Sequence, residues 1–451
     1  MANFRPIDRA TPFLLPPSVD DWLRKDHLAR FVVDIVDQLD LSPLTEQYRG
    51  AGSAAYHPAV MLSLLIYGYA TGVYSSRRIE AATHDSIAFR YIAANEQPDH
   101  DSLCAFRKRF LPELTALFTE VLCIARQMKL LKLGTIALDG TKIHANASRH
   151  HALSYGHAQK IEAQLEAEVK ELLQRAAVAD QEPLPPGLDI PEELTRRNER
   201  LAAIRAAKAE IEARAAERDA QAQAEHEAKL QARAEKTART GKKPGGKPPA
   251  PPSSGVQATD QVNLTDPDSR IMPVRGKGFE QSYNAQAAVD TDSMLVVATT
   301  LTQAPIDKQQ IEPMLAVLAT LPKELGTVTQ LVADNGYFSA ANAEHCVAAQ
   351  IEPLLAAGRD HHHPHWLDRF TEPAALSEPA STVERMQHRL QTTTGRQLYG
   401  LRKQTVEPVF GIIKSPMGFR QFLLRGLAAV QGEWTLVTMA WNIKRMAVLA
   451  R

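Results

Sequence analysis

The chain has 451 residues, and its 52 lysines and arginines are balanced by 52 aspartates and glutamates, so the formal net charge is zero. This length supports two or three domains with cores of their own, and the neutral balance argues against a globally basic protein that coats nucleic acid. The three cysteines form no C-x-x-C pair, and no run of 18 apolar residues occurs. We therefore expect reduced thiols and a soluble, cytoplasmic protein without a membrane segment.

Residues 1–130 are assigned to an all-helical domain. An N-cap signature precedes a stretch with apolar residues at helical spacing, and Pro58 opens a second, strongly apolar segment. Two later segments read as capped helices that carry arginines on an exposed side, Arg77, Arg78 and Arg107. The domain is either a bundle with a solvated basic face or a DNA-binding domain that contacts phosphates through these side chains.

A strand pattern at residues 134–145 is followed by a change in composition. Within residues 156–240, apolar residues recur at spacings of three and four in two stretches, which predicts a helical hairpin that is at least partly coiled-coil. The pattern permits packing within one chain and pairing with a second copy equally well. Residues 241–255 are basic and rich in proline and glycine, which is typical of a flexible linker.

Strand signals return in residues 256–451 and alternate with helices. Together with residues 131–155, the order is strand, long insertion, strand, strand, helix, strand, helix, strand, helix. This order matches a ribonuclease-H-like mixed sheet with flanking helices, interrupted after its first strand. The predicted class is therefore mixed α/β, with the helical N-terminal domain and the helical-hairpin insertion added to that sheet.

Three acidic residues stand out in this arrangement. Asp139 and Asp334 each follow an apolar run, so we place them at strand ends, and Glu407 lies in a later helix. Pro408 comes directly after Glu407 and predicts that this glutamate lies near a helix start or a kink. Lys414 follows two helical turns later and should share a face with Glu407.

The chemistry of three converging carboxylates points to a pair of Mg²⁺ ions. Magnesium prefers oxygen ligands, and two ions about 3.5–4 Å apart activate an attacking oxygen and stabilise a leaving oxygen in phosphodiester chemistry. We assign Asp139 as the ligand shared by both ions, while Asp334 and Glu407 each complete one of them. Without metal the three anions repel one another, so the site should then be loosely defined.

The residues at this point resemble bacterial insertion-sequence transposases of the DDE class over nearly the whole chain. The resemblance is carried by short motifs, which are Tyr56-His57-Pro58, Leu138-Asp139-Gly140-Thr141, Asp334-Asn335-Gly336-Tyr337 and Val406-Glu407-Pro408-Val409-Phe410-Gly411. It implies a Mg²⁺-dependent enzyme, with Mn²⁺ able to substitute, that hydrolyses phosphodiesters and transfers strands. It further implies binding to double-stranded DNA at terminal inverted repeats and at the target, a homodimer on DNA, and a nucleoid-associated location in the bacterial cytoplasm.

Residues 383–425 hold eight lysines and arginines against two glutamates, a balance suited to phosphate binding. The family pattern places a tyrosine, an arginine, the catalytic glutamate and a lysine on one helix. Lys414 fits this pattern, but the arginine position falls on Lys403 with Arg402 beside it, so either could hold a phosphate. Tyr399, one residue further away than the pattern asks, either stacks on DNA or packs in the core, and Arg420 is a further DNA contact.

Other interpretations remain open at the level of sequence. A catalytically silent, transposase-derived DNA-binding protein is the alternative function, and a nuclease that cuts without joining is a third. The cluster from His361 to His365 either binds a transition metal or forms a solvated loop. Trp366 either inserts beside a displaced base or anchors a surface loop.

Overall fold

The computed structural model describes residues 18–48, 55–178, 189–241, 245, 247–274, 276, 278–358, 367, 370–377 and 379–451. The chain divides into two compact units. The larger contains Met1–Asn146, Met272–Gly276 and Ser282–Arg451, and the smaller contains Ala147–Ile271 and Lys277–Gln281. The predicted division into four segments stays a prediction. His361–His365, Trp366 and residues 242–244 and 246 of the predicted linker lie outside the described residues.

Eight helices occupy the first part of the larger unit within the described residues. They are α1 (Val19–Trp22), α2 (Leu28–Val36), α3 (Ser42–Thr45), α4 (Pro58–Thr71), α5 (Ser76–Asp85), α6 (Ile87–Ile92), α7 (His100–Phe110) and α8 (Leu114–Gln127). Ser18 forms a capping box at α1, and Pro58 is the first residue of α4. Gly72 ends α4 with φ 84°, a left-handed conformation that favours glycine. The predicted helical N-terminal region is confirmed.

Within the described residues, no single helix is both long and apolar enough to cross a bilayer. The pair α4 and α5 meets the length and composition test only when the two are taken together across a bend of 96°.

Eight strands follow in the part of the chain that the structure describes. They are β1 (Leu133–His144), β2 (Ala152–Ser154), β3 (Gln261–Asn263), β4 (Arg270–Val274), β5 (Gly278–Asp290), β6 (Val296–Thr302), β7 (Gly326–Ala333) and β8 (Glu352–Leu355). The main sheet has the order β4-β5-β1-β7-β8, with β6 also pairing with β5. Strand β1 lies at its centre, antiparallel to β5 and parallel to β7. The mixed α/β class is confirmed.

Helices pack on this sheet because its central strands are apolar on both faces. They are α11 (Ile311–Ala319), α12 (Ala340–Ala348), α13 (Thr382–Gln391), α14 (Thr393–Lys414) and α15 (Leu427–Leu449). Helix α15 is buried over most of its length. Its Trp434 Nε1 donates a 3.0 Å hydrogen bond to the carbonyl of Gln286, and the Asn442 side chain bonds both backbone groups of Val296. Helix α15 therefore covers one face of the sheet.

The smaller unit contains a helical hairpin formed by α9 (Tyr155–Val178) and α10 (Ile190–Thr240). The helices run antiparallel, since Glu162 pairs with Arg205 while Glu168, further along α9, pairs with the earlier Arg197. Their shared core includes Leu165, Leu201, Ile204, Ile211 and, from the short β2–β3 ladder, Leu153 and Val262. The apolar stripes seen in the sequence are thus buried within one chain.

Candidate catalytic site

Asp139 lies inside β1 and not at its end, so that part of the prediction is wrong. Strand β1 continues to His144 along β5, where Asp139 pairs with Ala287. The parallel partner β7 is shorter, and its last pair with β1 joins Leu138 to Ala333. Asp139 and Asp334 therefore follow directly after the last residues of a parallel ladder. The apolar run before Asp139 ends where the parallel ladder between β1 and β7 ends, and β1 itself continues beyond it.

The Asp139 carboxyl is mostly buried, with 20% of its side chain exposed. Burial raises its pKa from the ordinary value of 3.8 to about 7, and the negative charges of Asp334 and Asp307 act in the same direction. The hydrogen bond from the Gly140 N–H to Oδ1, at 2.8 Å, and the charge of Arg402 oppose this rise. Burial thus favours the protonated form of this acid relative to an exposed aspartate.

Asp334 is positioned by its own turn. Its Oδ1 accepts a 2.8 Å hydrogen bond from the Gly336 N–H, as an N-cap of the short 3₁₀ turn Asn335–Tyr337. The side chain is half-buried. Its charge acts on Asp139, which places the two carboxylates in one electrostatic environment.

Glu407 lies in the second half of α14, fourteen residues after the first residue of that helix at Thr393. Of the two predicted settings for Glu407, a helix start or a kink, the helix start is wrong, because Pro408 lies inside α14. The kink stays a prediction. Proline has no N–H to donate to the carbonyl four residues earlier, so the helix gives up one backbone hydrogen bond at Gln404. Packing of α14 on the sheet, through buried residues such as Val406 and Val409, outweighs that loss.

Arg402 connects two of the three acids. Its Nη2 lies 3.0 Å from Glu407 Oε1, and its Nη1 lies 3.8 Å from Asp139 Oδ2. Its side chain is 11% exposed, whereas that of Glu407 is 47% exposed. The Tyr399 ring centroid is 6.0 Å from the guanidinium carbon. Lys403 is exposed on another side of the helix, so the structure places Arg402, and not Lys403, beside the acids.

Lys414 reaches back from the end of α14 to β1. Its Nζ donates to the Thr141 hydroxyl and, at 2.9 Å, to the carbonyl of Lys142. Burial lowers its pKa from 10.5 to about 8, and the charge of Lys142 acts in the same direction. Arg420, just beyond the helix, is exposed and donates a 2.7 Å hydrogen bond from Nε to the carbonyl of Lys414.

The arginines of the helical region divide into two kinds. Arg77 and Arg78 are exposed on α5, as expected. Arg107 is only 7% exposed, so its predicted place on an exposed face is wrong. Its Nη1 donates to the Tyr69 hydroxyl at 3.1 Å, and that hydroxyl donates to the buried carboxylate of Glu433 at 2.8 Å. Arg107 is therefore part of a buried polar network and is withdrawn as a DNA contact.

The error at Arg107 has a simple physical origin. The buried positions of α7 are spaced by three and one, and Arg107 falls four residues after Leu103 and three before Phe110. These spacings describe one helix face. Arg107 is the first residue of the basic run from 107 to 109, but by its spacing it belongs to the buried face of α7.

A polar cluster beside Asp139 was missed in the sequence. Asp307 Oδ1 accepts hydrogen bonds of 2.7 Å from both Asn284 Nδ2 and Gln286 Nε2, and Lys142 Nζ lies 3.6 Å away. A Cβ atom at Gly140 would collide with the side chains of Asn284 and Gln286 on β5 and of Asp307 in the loop after β6. The alternating polar residues Asn284 and Gln286 within an otherwise apolar strand were the available signal.

The cluster also reaches the second acid. The Tyr337 hydroxyl, buried three residues after Asp334, donates to Gln286 Oε1. Burial raises the pKa of this tyrosine well above its ordinary value, with Asp307 and Asp139 contributing. Tyr337 is thus a neutral hydrogen-bond donor packed inside the fold.

The donor chemistry of the three acids fits a divalent metal ion. Asp139, Asp334 and Glu407 offer only carboxylate oxygens, the ligands that Mg²⁺ and Mn²⁺ accept, and a nearby cation would favour the ionised form of the buried Asp139. Across the described part of the chain, no three His, Cys, Asp or Glu side chains are already grouped to hold an ion. The ligands are therefore suitable in kind, but Glu407 is engaged by Arg402 in this conformation.

Two family models match the chain. Residues 17–109 match a transposase domain (DUF772), and residues 256–443 match a transposase DDE domain. The second match includes Asp334 and Glu407, while Asp139 lies outside both because the helical hairpin separates it in sequence. The DDE match agrees with the strand order and confirms the ribonuclease-H-like fold. No curated protein and no solved structure matches the chain.

Proposed function

Since the chain belongs to the DDE transposases of insertion sequences, we propose that it binds the terminal inverted repeats of its element and cuts and joins DNA there. The observation that carries the proposal is the meeting of three elements. Asp139 and Asp334 follow the end of the ladder between β1 and β7, and Glu407 on α14 is joined to Asp139 through Arg402. This arrangement supports the proposal that the three acids, which lie far apart in the sequence, form one site.

The three acids would hold two Mg²⁺ ions, with Mn²⁺ as a substitute and Asp139 as the shared ligand. When bound, such a pair activates the attacking oxygen and stabilises the leaving oxygen of a phosphodiester. Asp139 has to lose its proton before it becomes a ligand, because its pKa is raised to about 7. The Tyr337–Gln286–Asp307 contacts hold the backbone around Asp139 and Asp334 in place.

Basic side chains around the acids would hold DNA phosphates. Lys414 is anchored at β1 beside Asp139. The guanidinium of Arg402 can donate its N–H groups to a phosphate in place of a carboxylate. Further contacts are assigned to exposed or half-buried residues, namely Tyr399, Lys403, Arg420, Arg77 and Arg78. Water would attack first and release a 3′-hydroxyl, which then attacks target DNA. Joining needs two element ends, so we infer a homodimer on DNA, acting in the bacterial cytoplasm at the nucleoid.

The test is cleavage of duplex DNA that carries the element ends, with mapped products. Asp139→Asn, Asp334→Asn and Glu407→Gln preserve side-chain shape and remove the charge that a metal needs. Each should lower Mg²⁺-dependent cleavage by about a hundredfold to a thousandfold, the range expected when transition-state charge stabilisation is lost. Asp292→Asn, at an exposed turn residue of the same unit, is the matched control and should cleave normally.

The products separate this proposal from its alternatives. Nicks followed by joined target DNA support a transposase. Hydrolysis without joined products supports a nuclease, and repeat binding without cleavage under Mg²⁺ or Mn²⁺ supports a catalytically silent DNA-binding protein.

A further inference from the structure

The guanidinium of Arg402 occupies a place between two acids that the proposed reaction needs. It lies 3.0 Å from Glu407 and 3.8 Å from Asp139, while its side chain is almost fully withdrawn from solvent. Residues five apart are not neighbours on a helix surface. The contact with Glu407 is therefore not the ordinary pairing of adjacent turns, and Arg402 is turned toward the acids as a group.

Arg402 is also incompletely satisfied in this position. Its Nε is buried and has no hydrogen-bond partner. A guanidinium forms its strongest contacts when a planar anion takes two parallel N–H groups, and neither acid is bound in that way here. Burying an N–H without a hydrogen-bond partner costs free energy. A conformation in which the Arg402 Nε–H donates to an anion would therefore be more stable in this respect.

We propose that Arg402 is an internal counter-ion that holds Glu407 in the metal-free protein and has to release it before a divalent ion can bind. This inference rests on the proposed function, because it concerns the same three acids. A single positive charge beside Asp139 and Glu407 reduces their mutual repulsion, and it disfavours the entry of a doubly charged ion at the same place.

The released guanidinium then has a natural new partner. A DNA phosphate is a tetrahedral anion whose two non-bridging oxygens can accept two parallel N–H groups, so it competes with Glu407 for Arg402. Binding of DNA at Arg402 would free Glu407 for metal, and metal at Glu407 would free Arg402 for DNA. Such coupling is reciprocal by thermodynamic necessity. The arginine thereby discourages metal loading until DNA is present.

The experiment measures Mn²⁺ binding to the DNA-free full chain by electron paramagnetic resonance titration. Arg402→Gln should bind Mn²⁺ about fivefold more tightly than wild type, the factor that corresponds to about 1 kcal/mol for an ion pair in which one partner, Glu407, is half-exposed. Asp334→Asn defines weak background binding. Lys403→Gln removes an equal charge from the neighbouring, exposed position and should change the affinity by less than about twofold.

Cleavage is measured on the same samples, and it should fall in Arg402→Gln because the phosphate contact is lost. Tighter metal binding together with slower cleavage is not what a damaged fold produces, since damage lowers both. Arg402→Lys keeps the positive charge but loses the planar pair of guanidinium N–H groups. Its Mn²⁺ affinity should lie between those of wild type and Arg402→Gln. It provides the readout if Arg402→Gln fails to fold.

Two results overturn the counter-ion. One is an unchanged or weaker Mn²⁺ affinity in the Arg402 variants while wild type still cleaves DNA, which leaves the proposed function standing. The other is an equal rise in Mn²⁺ affinity in Lys403→Gln, which would show that the loss of any nearby positive charge strengthens Mn²⁺ binding. If wild type neither binds Mn²⁺ above the Asp334→Asn background nor cleaves DNA, the proposed function fails with it.

Discussion

Replacing Asp139 by asparagine should stabilise the metal-free protein, and the gain should depend on pH. Folding raises the pKa of this carboxyl from 3.8 to about 7, so the folded chain binds its proton more tightly than the unfolded chain. The stability of wild type therefore falls as the pH rises from about 4 to about 7, and the deficit is complete above pH 7. Asparagine carries no titrating proton and avoids this deficit.

The size of the effect follows from the same values. A difference of about 3 in pKa corresponds to a ceiling of about 4 kcal/mol, at about 1.4 kcal/mol for each pH unit. We expect a net gain of about 2 kcal/mol at pH 8, because Arg402 loses one of its two carboxylate contacts in the variant. At pH 4.5 the same substitution should gain little.

The assay is urea unfolding in the presence of a chelator at pH 4.5, 6, 7 and 8. Asp292→Asn serves as the control, since that carboxylate is exposed and its replacement should leave stability unchanged at every pH. A gain for Asp139→Asn that is the same at pH 4.5 and pH 8, or a loss at pH 8, would refute the argument from burial.

Three further outcomes are expected. The contribution of Lys414 to DNA affinity should decline as the pH rises through about 8, where burial makes it lose its proton, and Lys414→Arg should remove this decline in binding titrations from pH 6.5 to 9. Arg107→Met should lower the unfolding free energy by about 3 kcal/mol, as for a broken buried charge network, while the exposed Arg78→Ala should change it by less than about 0.5 kcal/mol and weaken DNA binding instead. Gly140→Ala should cost about 1–3 kcal/mol in urea unfolding and abolish cleavage, because its Cβ meets the Asp307 cluster. Gly134→Ala, on the same strand with open space around it, should be neutral, and equal effects at both glycines would contradict this account.

Much of the architecture was predictable because the sequence repeats simple periods. The apolar runs before Asp139 and Asp334 predicted neighbouring strands, and the stripes of residues 156–240 predicted two helices. Each of these patterns is local, so it predicts a strand or a helix without knowledge of tertiary contacts. The strand pattern of residues 134–145 also predicted β1, which is Leu133–His144. The point at which its parallel ladder with β7 ends, just before Asp139, was less predictable because it depends on the length of the partner strand.

The three candidate acids could be proposed from the sequence. The side chains that surround them were harder to predict. Pro408 suggested a helix start, but packing of α14 on the sheet holds the helix together around it. The choice between Arg402 and Lys403 depends on side-chain direction, which spacing alone leaves undetermined. Asp307 lies in a loop without any periodic pattern, and its place beside Gly140 arises only when β5 and β1 pair.

The claim that three acids form one metal-dependent centre is tested most directly by anomalous diffraction. Crystals of the full chain with element-end DNA would be prepared in Mn²⁺ and measured at the manganese edge. We predict two peaks about 3.5–4 Å apart, with Asp139 contacting both and Asp334 and Glu407 contacting one each. Peaks held by other residues, or no peak at these acids in a complex that cleaves its DNA, would contradict the account.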